Sequence, residues 1–372
     1  MTRTQTHTDC VHMADSAGEE PTAPVHSAPS ISDANALWQR WQGFLQQSST
    51  YRELLAEQQA GWQCKDLDVV YSAIVKENAG GPTSFAKADP GLLCRRYRLH
   101  ASKILARAHP ALFARSCSTL GAKPNQFLDL GSAPGGVSHF LHSDLNWTGT
   151  AVTLSPEHGG IPMHPVHART ESLRICYADL RNETEVAASL EQHVKANERP
   201  FRFVNCGAVQ DHGQREQEKP TDGASTVVVI GDLLVAQLRV AFRYVQDGGD
   251  VMFVFGSTKS GAFFLLLSLL QPVVDQITLL ETLFVVKAPV YVLLSGVHPS
   301  RVPDALWDRL TGPSTYWLLD EPESWDQAVA SFALYGPQLE HIWHLATGVL
   351  KDRRIRASQQ RDTGVKRGRD IV

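Results

Sequence analysis

The stretch FLDLGSAPGGVS, residues 127–138, has the residue types and spacing most suited to chemistry in this chain of 372 residues. Its apolar start predicts a short buried strand, and its small residues predict a tight turn that leads into a helix. Glycines in such a turn allow a ligand to approach the backbone, and the first N–H groups of the following helix are unpaired. The acid on the strand, Asp129, is expected to order the turn or to receive a cationic or hydroxyl-bearing ligand.

The turn differs from the two commonest Gly-rich loops. It contains neither GxGxxG nor GxxxxGK[ST], so a dinucleotide-binding or P-loop function is disfavoured. DLGSAPGGVS instead resembles the first motif of the FtsJ-like (RrmJ-type) ribose 2′-O-methyltransferases, D-L-G-[SA]-A-P-G-G followed by an aromatic or aliphatic residue and Ser. The resemblance implies a Rossmann-like class I methyltransferase fold that binds S-adenosyl-L-methionine (SAM). The cofactor-binding residues that it implies here are Asp129, Gly131, Ser132, Ala133, Pro134, Gly135 and Gly136.

The resemblance also implies cofactor contacts after the next two strands. Methyltransferases of this class carry an acid at the end of the second strand for the SAM ribose. This chain has Ser155-Pro156-Glu157 there, so Ser155 or Glu157 is the expected contact. The third predicted strand ends at Asp179, and the resemblance places this residue at the adenine amino group.

FtsJ-like enzymes use two lysines, an aspartate and a glutamate to position and activate a ribose hydroxyl, and this chain departs from that set. The upstream lysine corresponds to Lys103, for which a solvent-exposed helix charge is the alternative. The aspartate should end the fourth strand, where the segment FRFVNCGA has Gly207. In another register, with residues 226–230 as the fourth strand, Asp232 would take that place.

Nearby residues offer partial replacements for the missing groups. The second lysine is absent from the fifth predicted strand, and the nearest one is Lys259 in the next loop. Asp211 and His212, in a polar loop, are candidate bases. The glutamate position before Val290-Tyr291 has Ala or Pro. The candidate catalytic residues are therefore Lys103, Lys259 and Asp211.

These residues indicate a SAM-dependent methyltransferase with RNA, at the ribose 2′-O, as its acceptor. Two alternatives remain. One is a scaffold that binds SAM or RNA without transferring a methyl group, and the other is a methyltransferase that acts on another acceptor. A nucleotide-binding oxidoreductase is disfavoured because the turn lacks GxGxxG.

The elements that must position these residues alternate along the chain. Apolar runs predict strands over 127–130, 149–154, 173–178, 201–207, 251–255, 277–286 and 290–294. Helical spacing predicts helices over 33–60, 90–120, 137–141, 182–197, 226–245, 263–270 and 338–350. This order predicts an α/β, doubly wound, mostly parallel seven-stranded sheet whose last two strands form an antiparallel pair, with helical N- and C-terminal additions.

The composition suggests five segments. They are a disordered N-terminal segment (1–31), a helical extension (32–89), a methyltransferase domain (90–297), a helical appendage (298–350) and a basic disordered tail (351–372). Residues 351–370 hold eight Lys or Arg against three Asp, which indicates a solvated end or, alternatively, an RNA-binding or nuclear-import segment.

The remaining composition narrows the class of protein. A net charge of −4 is not that of a general nucleic-acid binder. The six cysteines include no CxxC pair, which favours reduced thiols and disfavours a Cys-based zinc site. His158, His164 and His167 lie in or beside a Pro- and His-rich stretch, for which we predict a polar loop rather than a metal site. We expect no membrane span and no signal peptide. The scattered cysteines indicate an intracellular protein, cytoplasmic or nuclear.

Overall fold

The structure is a computed structural model, and it describes residues 31–65, 67, 89–113, 123–192, 194, 198–209, 231–256, 258–287, 289–311 and 322–363. This part of the chain contains a seven-stranded sheet with helices on both faces. Residues 1–30 of the predicted N-terminal segment and the candidate bases Asp211 and His212 lie outside the described residues.

The sheet forms from apolar segments in the predicted order. The strands are β1 (Gln126–Leu130), β2 (Thr148–Thr153), β3 (Leu173–Tyr177), β4 (Phe201–Cys206), β5 (Val245–Phe255), β6 (Val274–Glu281) and β7 (Val290–Val297). They lie side by side in the order β3-β2-β1-β4-β5-β7-β6. Strands β1 to β5 are parallel, and β7 is antiparallel to both of its neighbours. The predicted α/β fold, with a mostly parallel sheet and an antiparallel last pair, is confirmed.

Helices pack on both faces of this sheet. They are α1 (Ile31–Leu45), α2 (Ser49–Gln63), α3 (Pro90–Ala108), α4 (Pro110–Phe113), α5 (Gly136–His139), α6 (Glu183–Glu191), α7 (Asp232–Tyr244), α8 (Gly261–Leu270), α9 (Asp304–Thr311) and α10 (Pro322–Thr363). A π-helical turn, Phe140–Asp144, continues α5. Leu128 and Leu130 of β1 enter a core cluster that includes residues of α1, α2 and α10, whereas Phe127 enters the cluster that includes residues of α3. Because both faces of β1 are covered, its residues 127–130 are all buried.

The predicted N-terminal extension and C-terminal appendage share one core with the sheet. The ring of Tyr51 on α2 lies 4.9 Å from that of Trp343 on α10. Trp41 on α1 lies 5.6 Å from Phe264 on α8. All four side chains are buried, in the same cluster as Leu128 of β1. The terminal helices therefore complete the packing on this face of the sheet.

Strand β5 begins earlier than predicted. We expected Gly248-Gly249 to form the turn before a strand starting at residue 251, but β5 begins at Val245, directly after α7. Gly248 lies within the strand with a φ of 70°, which glycine adopts readily. The pairing with β7 shifts register between Gly249 and Val251, so the two glycines form an irregularity inside the strand.

The last helix is longer than predicted. We expected residues 338–350, but α10 runs from Pro322 to Thr363 and contains Pro337. Residues 351–363 of the predicted disordered tail are therefore helical, and residues 364–372 lie outside the described part. A proline removes one backbone hydrogen bond, and the buried side chains of Leu339 and Trp343 hold the helix beyond it. Among the described helices, α10 included, none combines the length and apolar character needed to cross a membrane.

Candidate functional site

The Gly-rich turn, defined here as residues 131–135, lies at the carboxyl end of β1, where the strand order changes direction. From β1 the chain passes to β2 and β3 on one side and then to β4 and β5 on the other. In open parallel sheets, ligands bind outside the carboxyl ends of the strands at such a point. Ser155, Asp179 and Gly207 follow β2, β3 and β4 at the same edge. The fold therefore brings the predicted cofactor residues to one edge of the sheet.

Asp129 holds the turn from inside the protein. Its side chain is fully buried, and it accepts hydrogen bonds from Ser138 Oγ at 2.5 Å and Asn205 Nδ2 at 2.7 Å. Burial raises the pKa of Asp129, and the bonds from Ser138 and Asn205 oppose that change. The carboxylate thus joins β1 to the helix after the turn and to β4. Of the two roles expected for Asp129, ordering the turn is the one that these contacts show.

The glycines of the motif allow other residues of the protein to pack closely against the backbone of the turn. A Cβ on Gly135, which has a φ of 98°, would overlap the ring of His167. A Cβ on Gly136 would overlap Tyr97 of α3, and one on Gly131 would overlap Ala208. These glycines were expected to admit a ligand to the backbone. Within the turn, only Gly131 and Ala133 keep partial exposure for such an approach, whereas Ser132, Pro134 and Gly135 are buried.

Ser155 and Asp179 lie at the ends of the neighbouring strands with polar groups accessible. Ser155 Oγ lies 2.8 Å from Nδ1 of His158, and both lie at the surface. Asp179 Oδ1 accepts a hydrogen bond from the backbone N–H of Arg181 at 3.0 Å, and its side chain is 36% exposed. Burial alone would raise the pKa of Asp179, but the hydrogen bonds from Arg181 hold it below its ordinary value. The carboxylate is therefore ionised and partly accessible at neutral pH.

The fourth strand takes the first of the two registers expected from the sequence. Phe201–Cys206 pairs with β1 and β5, so Gly207 is the residue that follows the fourth strand. Asp232 is the first residue of α7 instead. Asp211 lies outside the described residues, so its catalytic role stays a prediction.

The two candidate lysines have different surroundings. Lys103 is exposed on α3. Lys259 Nζ donates a hydrogen bond to Gln58 Oε1 of α2 at 2.8 Å and lies 5.7 Å from the ring centroid of Tyr51. Burial lowers the pKa of Lys259. The contacts of Lys259 therefore join the loop after β5 to the N-terminal helices, and its catalytic role stays a prediction.

Three residues that were not predicted as site residues, His100, Glu281 and Tyr291, lie together between α3 and the last two strands. The ring of His100 on α3 lies 6.0 Å from that of Tyr291 on β7, and a ring nitrogen of His100 lies 2.9 Å from the backbone carbonyl of Glu281. Burial, followed by the charges of Tyr97 and Asp129, raises the pKa of Tyr291. Val290-Tyr291 is a recognisable pair in the sequence, but it does not indicate that His100 and Glu281 lie beside it. The group comes together through tertiary packing.

The prediction that the histidines form only a polar loop is wrong for His167. His167 is 1% exposed, and its Nε2 lies 3.8 Å from Sγ of Cys94 on α3. The same sulfur lies 3.8 Å from Nδ1 of His139 on α5. Three elements far apart in the sequence supply these groups, so no CxxC pair or local spacing could reveal them. The absence of a CxxC pair disfavoured a Cys-based zinc site, but that pattern carries no information about groups that tertiary packing brings together.

No family model matches the chain, and no curated protein sequence gives a significant match. Solved structures do resemble it. An rRNA methylase from Streptococcus thermophilus is 12% identical with a TM-score of 0.33, over 52% of this chain and 96% of the other. Fibrillarin from Aeropyrum pernix, solved with natively bound SAM, is 12% identical with a TM-score of 0.30, over 54% and 76%. Human methyltransferase-like protein 13, solved with SAH, is 14% identical with a TM-score of 0.35, over 62% and 92%. Such low values carry no argument about function, and the fold rests on the strand order described above.

Proposed function

We propose that this chain is a SAM-dependent methyltransferase that binds SAM along the carboxyl edge of β1, β2 and β3. The observation that carries the proposal is the position of DLGSAPGG, which forms the end of β1, the Gly-rich turn and the start of α5 where the strand order changes direction. The partly exposed backbone of Gly131 and Ala133 supports it, because a cofactor can contact the turn there. The FtsJ-like motif supplies the identity of the cofactor.

The polar groups at this edge suit an adenosine-containing ligand. Asp179 accepts hydrogen bonds from Arg181, and a carboxylate has about four lone-pair positions, so it keeps capacity to accept from an amino group. The hydroxyl of Ser155, after β2, can bond to a ribose hydroxyl. We assign Asp179 to the adenine amino group and Ser155 to the ribose.

Methyl transfer from SAM requires little covalent catalysis by the protein. SAM supplies a methyl group on a sulfonium, which is already a good leaving system. The protein must hold the acceptor in line and, for a hydroxyl acceptor, favour its deprotonation. We assign this last task to Lys103, because an ammonium close to a hydroxyl lowers the pKa of that hydroxyl. Its exposure on α3 leaves it free to meet a large acceptor.

RNA is the acceptor class that we propose. Arg95, Leu99 and Lys103 are exposed on α3 and are spaced four residues apart, so they share one face of the helix. The guanidinium of Arg96 lies 5.8 Å from the ring centroid of Phe284. Exposed cations beside apolar side chains suit a phosphate backbone and its bases. Binding to RNA is then expected to weaken as salt is raised.

The test is methyl transfer from labelled SAM to total RNA. Wild-type protein should label RNA, and Lys103→Ala should lower the rate by at least about 100-fold while SAM affinity stays the same. Lys123→Ala is the matched control, because Lys123 is exposed just before the amino end of β1, at the opposite edge of the sheet. Labelling of small molecules or protein in place of RNA would refute the RNA acceptor, and equal rates in the two variants would refute the role of Lys103.

The alternative is a SAM-binding protein without transfer activity. Two observations favour it: Gly207, which has no acidic side chain, follows β4, where the resemblance implies an aspartate, and Lys259 bonds to Gln58. SAM binding without transfer to RNA, protein or small molecules would establish this alternative.

A further inference from the structure

We propose that Cys94, His139 and His167 bind a transition-metal ion, and that zinc is the ion they suit best. Sγ of Cys94 lies 3.8 Å from Nδ1 of His139 and 3.8 Å from Nε2 of His167. All three atoms lie within 4.8 Å of one another. The residues come from α3, from α5 and from the 3₁₀ helix Pro165–Arg169, so tertiary structure builds the group.

These distances suit a tetrahedral ion of the size of zinc. Bonds of about 2.3 Å to sulfur and about 2.0–2.1 Å to nitrogen, at a tetrahedral angle, place the two ligand atoms about 3.6 Å apart. The two sulfur–nitrogen separations are close to that value, so one ion can join the sulfur to each imidazole after small side-chain rotations. One thiolate with two imidazoles also favours zinc over magnesium or calcium, which prefer oxygen ligands.

A second layer of side chains fixes the orientation of His167. Nε2 of His142 lies 3.2 Å from Nδ1 of His167, and Nδ1 of His142 lies 2.9 Å from Oγ of Ser143. With Nε2 of His167 on the ion, Nδ1 carries the proton and donates it in a hydrogen bond to His142. Metal-bound histidines in proteins are held in this way by a partner on their other nitrogen.

The ion would fasten three segments around the Gly-rich turn. The ring of His167 occupies the space beside Gly135. The backbone N–H of His164 donates a hydrogen bond to the backbone carbonyl of Pro134 at 3.1 Å. A bond from each of Cys94, His139 and His167 would tie α3, α5 and the 3₁₀ helix together. The role that we assign to the ion is to hold the turn in place, and its three protein ligands leave the fourth position open to water.

The test measures the metal content of the full-length protein purified without added metal or chelator. We expect about one zinc per chain. Cys94→Ser should weaken zinc affinity at least about tenfold. Cys176→Ser and His158→Ala are the matched controls and should leave zinc content unchanged, because both residues lie outside the group.

Since Cys94→Ser could fail to fold, two measurements use the wild-type chain. Cobalt substitution should give a thiolate-to-cobalt charge-transfer band, and chelation should lower the melting temperature until zinc, but not magnesium, is restored.

Two results would overturn the proposal. One is a folded wild-type chain that neither carries nor binds zinc, in which case the thiol and imidazoles only bond to one another. The other is a cobalt derivative without a thiolate band. Both readouts are independent of SAM, so the metal proposal can fail while the cofactor proposal stands.

Discussion

Asp129 links three parts of the candidate site through one buried carboxylate. It lies on β1, accepts from Ser138 on α5 and accepts from Asn205 on β4. A buried donor that loses its acceptor keeps the cost of its desolvation, so the group matters more than a surface carboxylate would. The sequence predicted an ordering role for Asp129, but its partners could not be inferred. Ser138 is close in sequence, whereas Asn205 is brought there by the pairing of β1 with β4.

Asp129→Ala is expected to destabilise the protein by about 2–4 kcal/mol, because it leaves Ser138 and Asn205 without a buried acceptor. Urea unfolding followed by circular dichroism measures this free energy. Asp326→Ala, at an exposed position on α10, is the control and should change stability by less than about 0.5 kcal/mol. Similar losses in the two variants would contradict the role of Asp129.

The element that organises the site is α3. Successive turns of this helix place Cys94 by His139, Tyr97 over Gly136, His100 by Tyr291 and Arg107 on Glu281. Nη1 of Arg107 donates to Oε1 of Glu281 at 2.9 Å, and Nη2 donates to Oε2. Burial alone would raise the pKa of Glu281, but the hydrogen bonds from Arg107 hold it below its ordinary value. This pair fixes the carboxyl end of α3 to the end of β6.

The pair predicts a dependence of stability on pH. Because the folded-state pKa of Glu281 is lowered, its contribution is complete above the ordinary pKa of Glu, about 4.3, and is lost as pH falls through the folded value. Arg107→Gln should therefore be less stable than wild type by about 1 kcal/mol at pH 7, and the difference should shrink below about pH 4. Thermal unfolding over this pH range measures it. Arg95→Gln, on the exposed face of α3, is the control, and a pH-independent difference for Arg107→Gln would contradict the account.

Elements were predictable where a local pattern determines them. The apolar start of β1 and its glycine turn depend on residues close in sequence, and both appear as predicted. The start of β5 depends on its partner β7, and the length of α10 depends on its packing with α1 and α2. These partners are far away in the sequence. The grouping of Cys94, His139 and His167 has the same cause. Residues that only tertiary packing brings together show no characteristic spacing in the sequence.

At the scale of the whole molecule, the terminal helices cover one face of the sheet. The loop after β5 is bonded to both N-terminal helices, through Lys259 to Gln58 and through the Lys259 carbonyl, which accepts from Gln42. Arg354, near the end of α10, pairs with Glu57 of α2 at 2.7 Å. The sequence marked these helices as additions outside the family resemblance. Their apolar faces are instead part of the main core.

Trp343→Ala is expected to destabilise the whole protein by about 3–5 kcal/mol, because it removes a fully buried ring that packs on Tyr51. Leu334→Ala is the control on the same helix, where Leu334 is 56% exposed, and should change stability by less than about 0.5 kcal/mol. Urea unfolding should show one transition for the sheet and the terminal helices. A separate early transition in Trp343→Ala, with the sheet unaffected, would contradict a shared core.

Calorimetric titration with SAM tests the central claim most directly. A substitution at Gly135 would disturb the packing against His167, so Asp179→Ala is the sharper variant, because its carboxylate is partly exposed at the proposed adenine position. We predict saturable binding of SAM to the wild-type chain, about tenfold or more weaker in Asp179→Ala and unchanged in Asp326→Ala. No binding to the wild-type chain, or equal binding to Asp179→Ala, would contradict a SAM site at this edge of the sheet.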